Sequence, residues 1–111
     1  MKEDPLFIED GFTRTHTIAA VSGLHPEVKV TYRPALSKER AAYGAKTTGR
    51  DPDAIAKHED DLVLRYVQTI NGQDKESWGS KINRMHPTVK SAIVDLILGY
   101  SAANESADLG N

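Results

Sequence analysis

The densest group of side chains that could do chemistry is the run His58-Glu59-Asp60-Asp61. On a helix, His58 and Asp61 are three residues apart and share a face, so the two side chains could touch. Such a pair could bind a hard cation or transfer a proton as a general acid and base. A solvated acidic helix face carrying an incidental histidine explains the same run, and the sequence favours that simpler interpretation.

The other patterns associated with catalysis or metal binding are missing from the sequence. His16, His25 and His86 do not share a metal-ligand spacing with one another. The chain has no cysteine, which excludes disulfides, thiolate metal sites and a cysteine nucleophile. It also has no Gly-x-Ser-x-Gly turn and no glycine-rich phosphate loop. The sequence therefore predicts a protein that is not an enzyme and uses no cofactor.

Composition limits the remaining classes. With 111 residues, 39% of them hydrophobic, the chain can form one small packed domain. No apolar run approaches the roughly 20 residues that a membrane-spanning helix needs. The acidic N-terminus has no signal-peptide core, so we expect a cytoplasmic protein with no membrane partner. A net charge of −2 is not typical of a general nucleic-acid binder.

Residues 12–33 have the pattern of a β-hairpin. In the second half, Val28, Val30 and Tyr32 alternate with polar residues, which places the apolar side chains on one face of a strand. Lys29 and Arg33 then lie on the opposite, exposed face. Residues 22–27 between the two runs contain the glycine and proline of a turn.

Three helices are predicted after the hairpin. The first covers residues 37–46 with Ser37 as its N-cap, and the second begins at Asp51 and runs for about 19 residues until Asn71-Gly72 ends it. The third covers residues 87–98. A connector holds Trp78, whose indole N–H we expect to donate to the backbone. The predicted fold class is α+β: an N-terminal antiparallel β-hairpin or small sheet followed by three α-helices.

The chain divides into three parts by composition. Residues 1–11 form a flexible acidic arm with Leu6-Phe7-Ile8 as a possible docking point, although a frayed terminus explains the same residues. Residues 12–100 form the single α+β domain. Residues 101–111 are small and polar, which predicts a disordered tail.

Cations concentrate in the first half of the chain, and Arg14, Lys29 and Arg33 are the candidates for a basic strip on the hairpin. Such a strip could be a solvated face, could contact an acidic protein surface, or could contact phosphates. A hairpin of two strands is marginal alone, so it must pack on the helices or pair with another chain. We therefore expect a homo-oligomer.

The order of these elements resembles the tail assembly chaperones of long-tailed bacteriophages. The hairpin strand reads Val28-Lys29-Val30-Thr31-Tyr32-Arg33-Pro34-Ala35-Leu36-Ser37. The second helix closes with Leu64-Arg65-Tyr66-Val67-Gln68-Thr69-Ile70-Asn71-Gly72, and a connector with Trp78 then leads through Ile82-Asn83-Arg84-Met85-His86-Pro87 to a helix that ends at Gly99-Tyr100. The resemblance covers about residues 12–100.

The resemblance implies a non-enzymatic protein of the host bacterial cytoplasm that binds the phage tape-measure protein and recruits tail-tube subunits. Its partner-binding surface would combine the three cations with apolar helix positions, which could instead be core: Leu62, Tyr66, Ile70, Ile93, Ile97 and Tyr100. Two other functions stay open: a ring-forming phage structural component for head–tail joining or the tail tube, and a small nucleic-acid-binding regulator that uses the basic hairpin.

Overall fold

A computed structural model describes residues 6–100. The fold is α+β, as predicted, but two of the strands come after the second helix. The elements are β1 (Arg14–Ile18), β2 (Val28–Tyr32), α1 (Ser37–Thr47), α2 (Pro52–Tyr66), β3 (Val67–Ile70), β4 (Gln73–Asp74), α3 (Lys75–Trp78), a 3-10 helix (Gly79–Arg84) and α4 (Pro87–Leu98). The predictions for residues 1–5 of the acidic arm and for the tail 101–111 concern residues outside the described part of the chain. Within residues 6–100, no helix combines the length and the apolarity that crossing a bilayer requires.

The four strands form one antiparallel sheet in the order β1-β2-β3-β4. The predicted alternation in β2 is confirmed, because Val28, Val30 and Tyr32 are buried while Lys29 is exposed. The buried face packs against the helices, and the opposite face is polar. There the hydroxyls of Thr15 and Thr31 lie 2.9 Å apart across β1 and β2. The sheet therefore has the one-sided burial expected of an antiparallel sheet.

The prediction that the second helix continues to Ile70 is wrong. Helix α2 ends at Tyr66, and Val67–Ile70 is a strand paired with β2, with Val30 opposite Ile70. The Asn71-Gly72 pair is therefore the two-residue turn of the β3–β4 hairpin. Both residues have positive φ, 51° and 77°, as the tight type I′ turn requires. The extended segment gives the outer edge of β2 a partner, which the predicted two-stranded hairpin lacked.

Gly72→Ala is expected to destabilise the protein by about 1 kcal/mol, because a Cβ is disfavoured at a φ of 77° although no heavy atom lies within 4 Å of it. The matched control is Gly44→Ala in the interior of α1, where space is also open and φ is not positive. That change should stabilise by about 0.5–1 kcal/mol. Urea denaturation of both variants measures the difference, and equal effects of the two substitutions would contradict the assignment of the turn.

The helix starts are only partly as predicted. Asp51 caps α2, since its side chain accepts a hydrogen bond of 2.8 Å from the backbone N–H of Ala54. At α1, however, the N-cap is Leu36 and Ser37 is the first helical residue. The Leu36 N–H donates to the side chain of Glu39 at 2.9 Å. The carboxylate of Glu39 thus satisfies the N–H of the N-cap residue, which is a different capping bond from the one that the sequence assigned to the Ser37 hydroxyl.

The core lies between the sheet and helices α2 and α4. Helix α4 has the predicted bounds, and Gly99 ends it in the left-handed conformation with φ 86°. The indole N–H of Trp78 donates to the carbonyl of Gln73 at 3.0 Å, which confirms the expected backbone bond, and its ring packs on the core. The least exposed large side chains are Val30, Val63, Val67, Ile93 and Ile97.

Candidate functional site: a groove between α1 and α2

Helices α1 and α2 enclose a groove of about 450 Å³, which we call the α1–α2 groove. Leu62 and Tyr66 are buried and form its floor, and Ala42 and Tyr43 of α1 complete the apolar lining. The spacing of four residues between Leu62 and Tyr66 places both on one face of α2. The groove therefore runs along two helix faces that the fold holds side by side.

The rim of the α1–α2 groove is rich in cations. Lys38 and Lys46 of α1 and Arg65 of α2 are exposed at its edge. His58 and Asp61 also line it, so the pair noted in the sequence does lie on one face. Two carboxylates, Glu39 and Asp61, also line the groove, and Glu39 is paired with Arg33. The remaining lining charges are three cations against one carboxylate, so the groove favours a ligand that carries negative charge.

Glu39 is the centre of a hydrogen-bond network at the groove wall. Its two carboxylate oxygens accept from the Arg33 guanidinium at 3.2 and 3.1 Å, and from the Tyr66 hydroxyl at 2.6 Å. The Leu36 N–H bonds the same carboxylate, and the Arg33 guanidinium carbon lies 4.3 Å from the centre of the Tyr66 ring. The network ties the end of β2 to both helices that form the groove.

The network holds Glu39 ionised. The hydrogen bonds from Arg33 lower the pKa of this carboxyl to about 2, and those from Leu36 and Tyr66 act in the same direction against the effect of burial. Hydrogen bonding to Glu39 raises the pKa of Arg33, and burial raises that of Tyr66. A carboxylate with so low a pKa is a poor general base at neutral pH. Glu39 is therefore a structural anion.

A second group of charges joins α2 to α4. The Lys90 ammonium contacts Asp60 Oδ1 at 2.5 Å, and both side chains are largely buried. Burial raises the pKa of the neighbouring carboxyls Glu59 and Asp95. Burial also raises the pKa of Tyr43 to about 12, with a further contribution from Glu59 and Asp95. This group fixes the packing of the two helices behind the groove.

The six apolar residues that the sequence analysis proposed for partner binding differ in how far they are buried. Leu62, Tyr66, Ile93 and Ile97 belong to the buried core, Ile70 is half-buried against it, and Tyr100 is exposed. Their burial supports the alternative interpretation, in which most of these residues belong to the core of the domain. Only Leu62 and Tyr66 also line the groove.

The three candidate cations do not assemble into one basic strip. Arg14 lies opposite Tyr32 and shares its face of the sheet, whereas Lys29 points to the other face. A register shift in the β2–β3 pairing falls between Thr31 and Tyr32. Arg33, which follows directly, is engaged with Glu39 and is not part of an exposed strip. The expectation that Arg33 continues the exposed face of Lys29 is therefore wrong.

Sequence reasoning identified four of the lining residues on α2 but missed the side of the groove that α1 forms. Lys38, Ala42 and Lys46 recur every four residues on one face of α1, which is the signal that could have identified them. The position of Glu39 in the first turn of α1 is a second signal. Neither pattern reveals that α2 lies alongside, because that contact depends on the tertiary fold.

The groove offers charged hydrogen-bond donors around an apolar floor, which is an arrangement suited to binding. Among residues 6–100, no group of three or more histidine, aspartate or glutamate side chains is placed to hold a metal ion. Comparison with protein-family models, curated proteins and solved structures finds no match for the chain.

Proposed function

We propose that this chain is a non-enzymatic assembly factor, specifically a tail assembly chaperone of a long-tailed bacteriophage acting in the host cytoplasm. The observation that carries the proposal is the α1–α2 groove, because two helices that flank an apolar floor suit a third, amphipathic helix. In this role the groove binds helical segments of the tape-measure protein and keeps them soluble until tail-tube subunits arrive.

Exposed apolar side chains give further support. Several large ones remain uncovered in the described chain: Leu6, Phe7, Ile8, Val21, Leu24, Leu36 and Tyr100. Single exposed apolar residues are normal on a monomer. Three consecutive ones at residues 6–8 are unusual, and they favour a chain that is covered by another protein when it works.

Co-expression with a phage tape-measure protein, sought in the reading frame downstream of this one, tests the proposal. The wild-type chain should make that helical protein soluble, and the double variant K38E/R65E should reduce the soluble yield at least severalfold, because it reverses two rim charges. Lys57→Glu is the matched control, since Lys57 is an exposed cation of α2 that does not line the groove. Equal client solubility with K38E/R65E and Lys57→Glu would contradict a role for the groove.

The ring-forming structural component is the second candidate, and the outer edge of β1 favours it. Strand β1 is the last strand on its side of the sheet, so its outer edge can accept a strand from another subunit. Light scattering separates the two candidates, because a structural ring keeps a fixed, large subunit number without a client. The nucleic-acid-binding regulator is the third candidate, and it is the least favoured because Arg14 and Lys29 lie on different faces of the sheet.

A further inference from the structure

We propose that the N-terminal arm of a second copy of this chain is the resident occupant of the α1–α2 groove. The inference rests on the groove being a protein-binding site, as proposed above, and it adds the partner and the means of regulation. Two exchanged arms would close a dimer in which each groove is filled. A client helix would then have to displace the arm.

The first observation is the state of the arm. Leu6 and Phe7 are 86% and 70% exposed, and Ile8 follows them at 37%. A turn closed by the hydrogen bond from the Phe12 N–H to the Glu9 carbonyl separates these residues from β1. Leaving a phenylalanine and two large aliphatic side chains in water is costly, so this segment favours an apolar binding site.

The second observation is complementarity between the arm and the groove. Acidic residues flank the apolar triplet on both sides, with Glu9 and Asp10 directly after it. The groove has the reverse arrangement, in which the cations Lys38, Lys46 and Arg65 outnumber the exposed carboxylate of Asp61 around an apolar floor. An arm whose apolar side chains contact the floor would bring its carboxylates to the cationic rim.

The third observation is that the arm does not fill the groove of its own chain. Both the apolar triplet and the groove are open in the same molecule. If two copies exchange arms, each apolar triplet is covered and each groove is filled. No arm or groove is then left to bind a third copy, which is the closed symmetry typical of homodimers. A second copy is therefore the occupant that matches the exposed features.

Sedimentation velocity over a concentration series, with the full chain, tests this proposal. Wild type should dimerise, and the arm variant L6A/F7A and the groove variant K38E/R65E should each raise the dimer dissociation constant at least tenfold. The matched controls are Leu24→Ala, an exposed apolar residue of the β1–β2 turn, and Lys57→Glu. Both controls should leave the dissociation constant within about twofold of wild type.

A charge exchange makes the test specific for the arm–groove contact. The variant E9K/D10K should be monomeric, and combining it with K38E/R65E in one chain should restore dimers, because the charges are again complementary. Circular dichroism confirms that each variant is folded. A monomeric wild type, a dimer that survives both the arm and groove variants, or no recovery in the combined variant would overturn the proposal.

The two proposals fail separately. If the arm–groove dimer forms but K38E/R65E does not reduce client solubility, the arm proposal stands and the chaperone function of the groove falls. If the client is solubilised through the groove by a chain that does not dimerise, the arm proposal falls alone. If both stand, adding the soluble client should convert the dimer into a complex with one client per groove.

Discussion

Replacing Lys90 with methionine is expected to lower the free energy of unfolding by about 2–3 kcal/mol. Lys90 pairs with Asp60 between α4 and α2, with only 11% and 21% of the two side chains exposed. Asp60 Oδ1 is buried and accepts no hydrogen bond in the described part of the chain, so Lys90 is its compensating contact. The substitution therefore leaves the Asp60 carboxylate buried next to Glu59 without a counter-ion. It also removes the Lys90 charge, which lowers the pKa of Glu59.

The position of Lys90 makes the effect specific to the ion pair. Lys90 lies in the first turn of α4, where the positive end of the helix dipole disfavours a cation. Its removal would help the isolated helix slightly, so any large loss must come from Asp60. Lys57→Met on the exposed face of α2 is the control and should change stability by less than about 0.5 kcal/mol.

A double-mutant cycle measured by urea denaturation separates the ion pair from packing. Asp60→Leu alone should also destabilise, because it leaves Lys90 without a counter-ion. Combining Asp60→Leu with Lys90→Met removes both charges, and the double variant should recover at least half of the summed loss. Additive losses would show that the two side chains do not depend on each other.

The sequence predicted the elements whose signals are local. Alternating Val28, Val30 and Tyr32 identified β2, and Asp51-Pro52 marked the start of α2. Pro87 and Gly99 marked the ends of α4. Each of these signals acts through the backbone of a few neighbouring residues, so no knowledge of the rest of the fold is needed.

The end of α2 could not be predicted from helical spacing. Val63, Val67 and Ile70 fit the stripe of an amphipathic helix, and Asn71-Gly72 fits a helix end as well as a hairpin turn. The decision depends on β2, whose edge pairs with Val67–Ile70. The Lys29 carbonyl accepts from the Asn71 N–H at 2.7 Å, and the Asn71 side chain accepts from the Lys29 N–H at 2.7 Å. These bonds join residues 42 positions apart.

The candidate site was harder to predict for the same reason. From the sequence, Arg33 is expected to be exposed because it follows a strand of alternating polarity. Its partner Glu39 lies on α1, and Tyr66, which bonds the same carboxylate, lies on α2. Apolar residues such as Leu62 look alike whether they are core or surface. Here Leu62 is both buried and the floor of a groove, a distinction that only the packing of α1 on α2 creates.

Glu39→Gln is expected to lower the free energy of unfolding by about 1–2 kcal/mol at neutral pH. The amide keeps the shape of the side chain but loses the charge that binds Arg33, and its NH2 group faces one of the Arg33 or Tyr66 donors. The two charged side chains are 34% and 28% exposed, so solvent screening keeps the loss below that of a fully buried pair. Asp53→Asn, on an exposed carboxylate of α2, is the control for removal of one charge.

The pH dependence of this difference identifies its origin. The folded protein holds the pKa of Glu39 at about 2, below its ordinary value of 4.5, so the folded state binds the proton less readily than the unfolded state. The stabilisation is complete above about pH 5 and disappears as the pH falls toward 2. Wild type and Glu39→Gln should therefore converge in stability over that interval. Glu59 and Asp95 titrate in both proteins, and their contributions cancel in the comparison. A difference that stays constant from pH 7 down to about pH 2 would assign the loss to packing and not to the charge of Glu39.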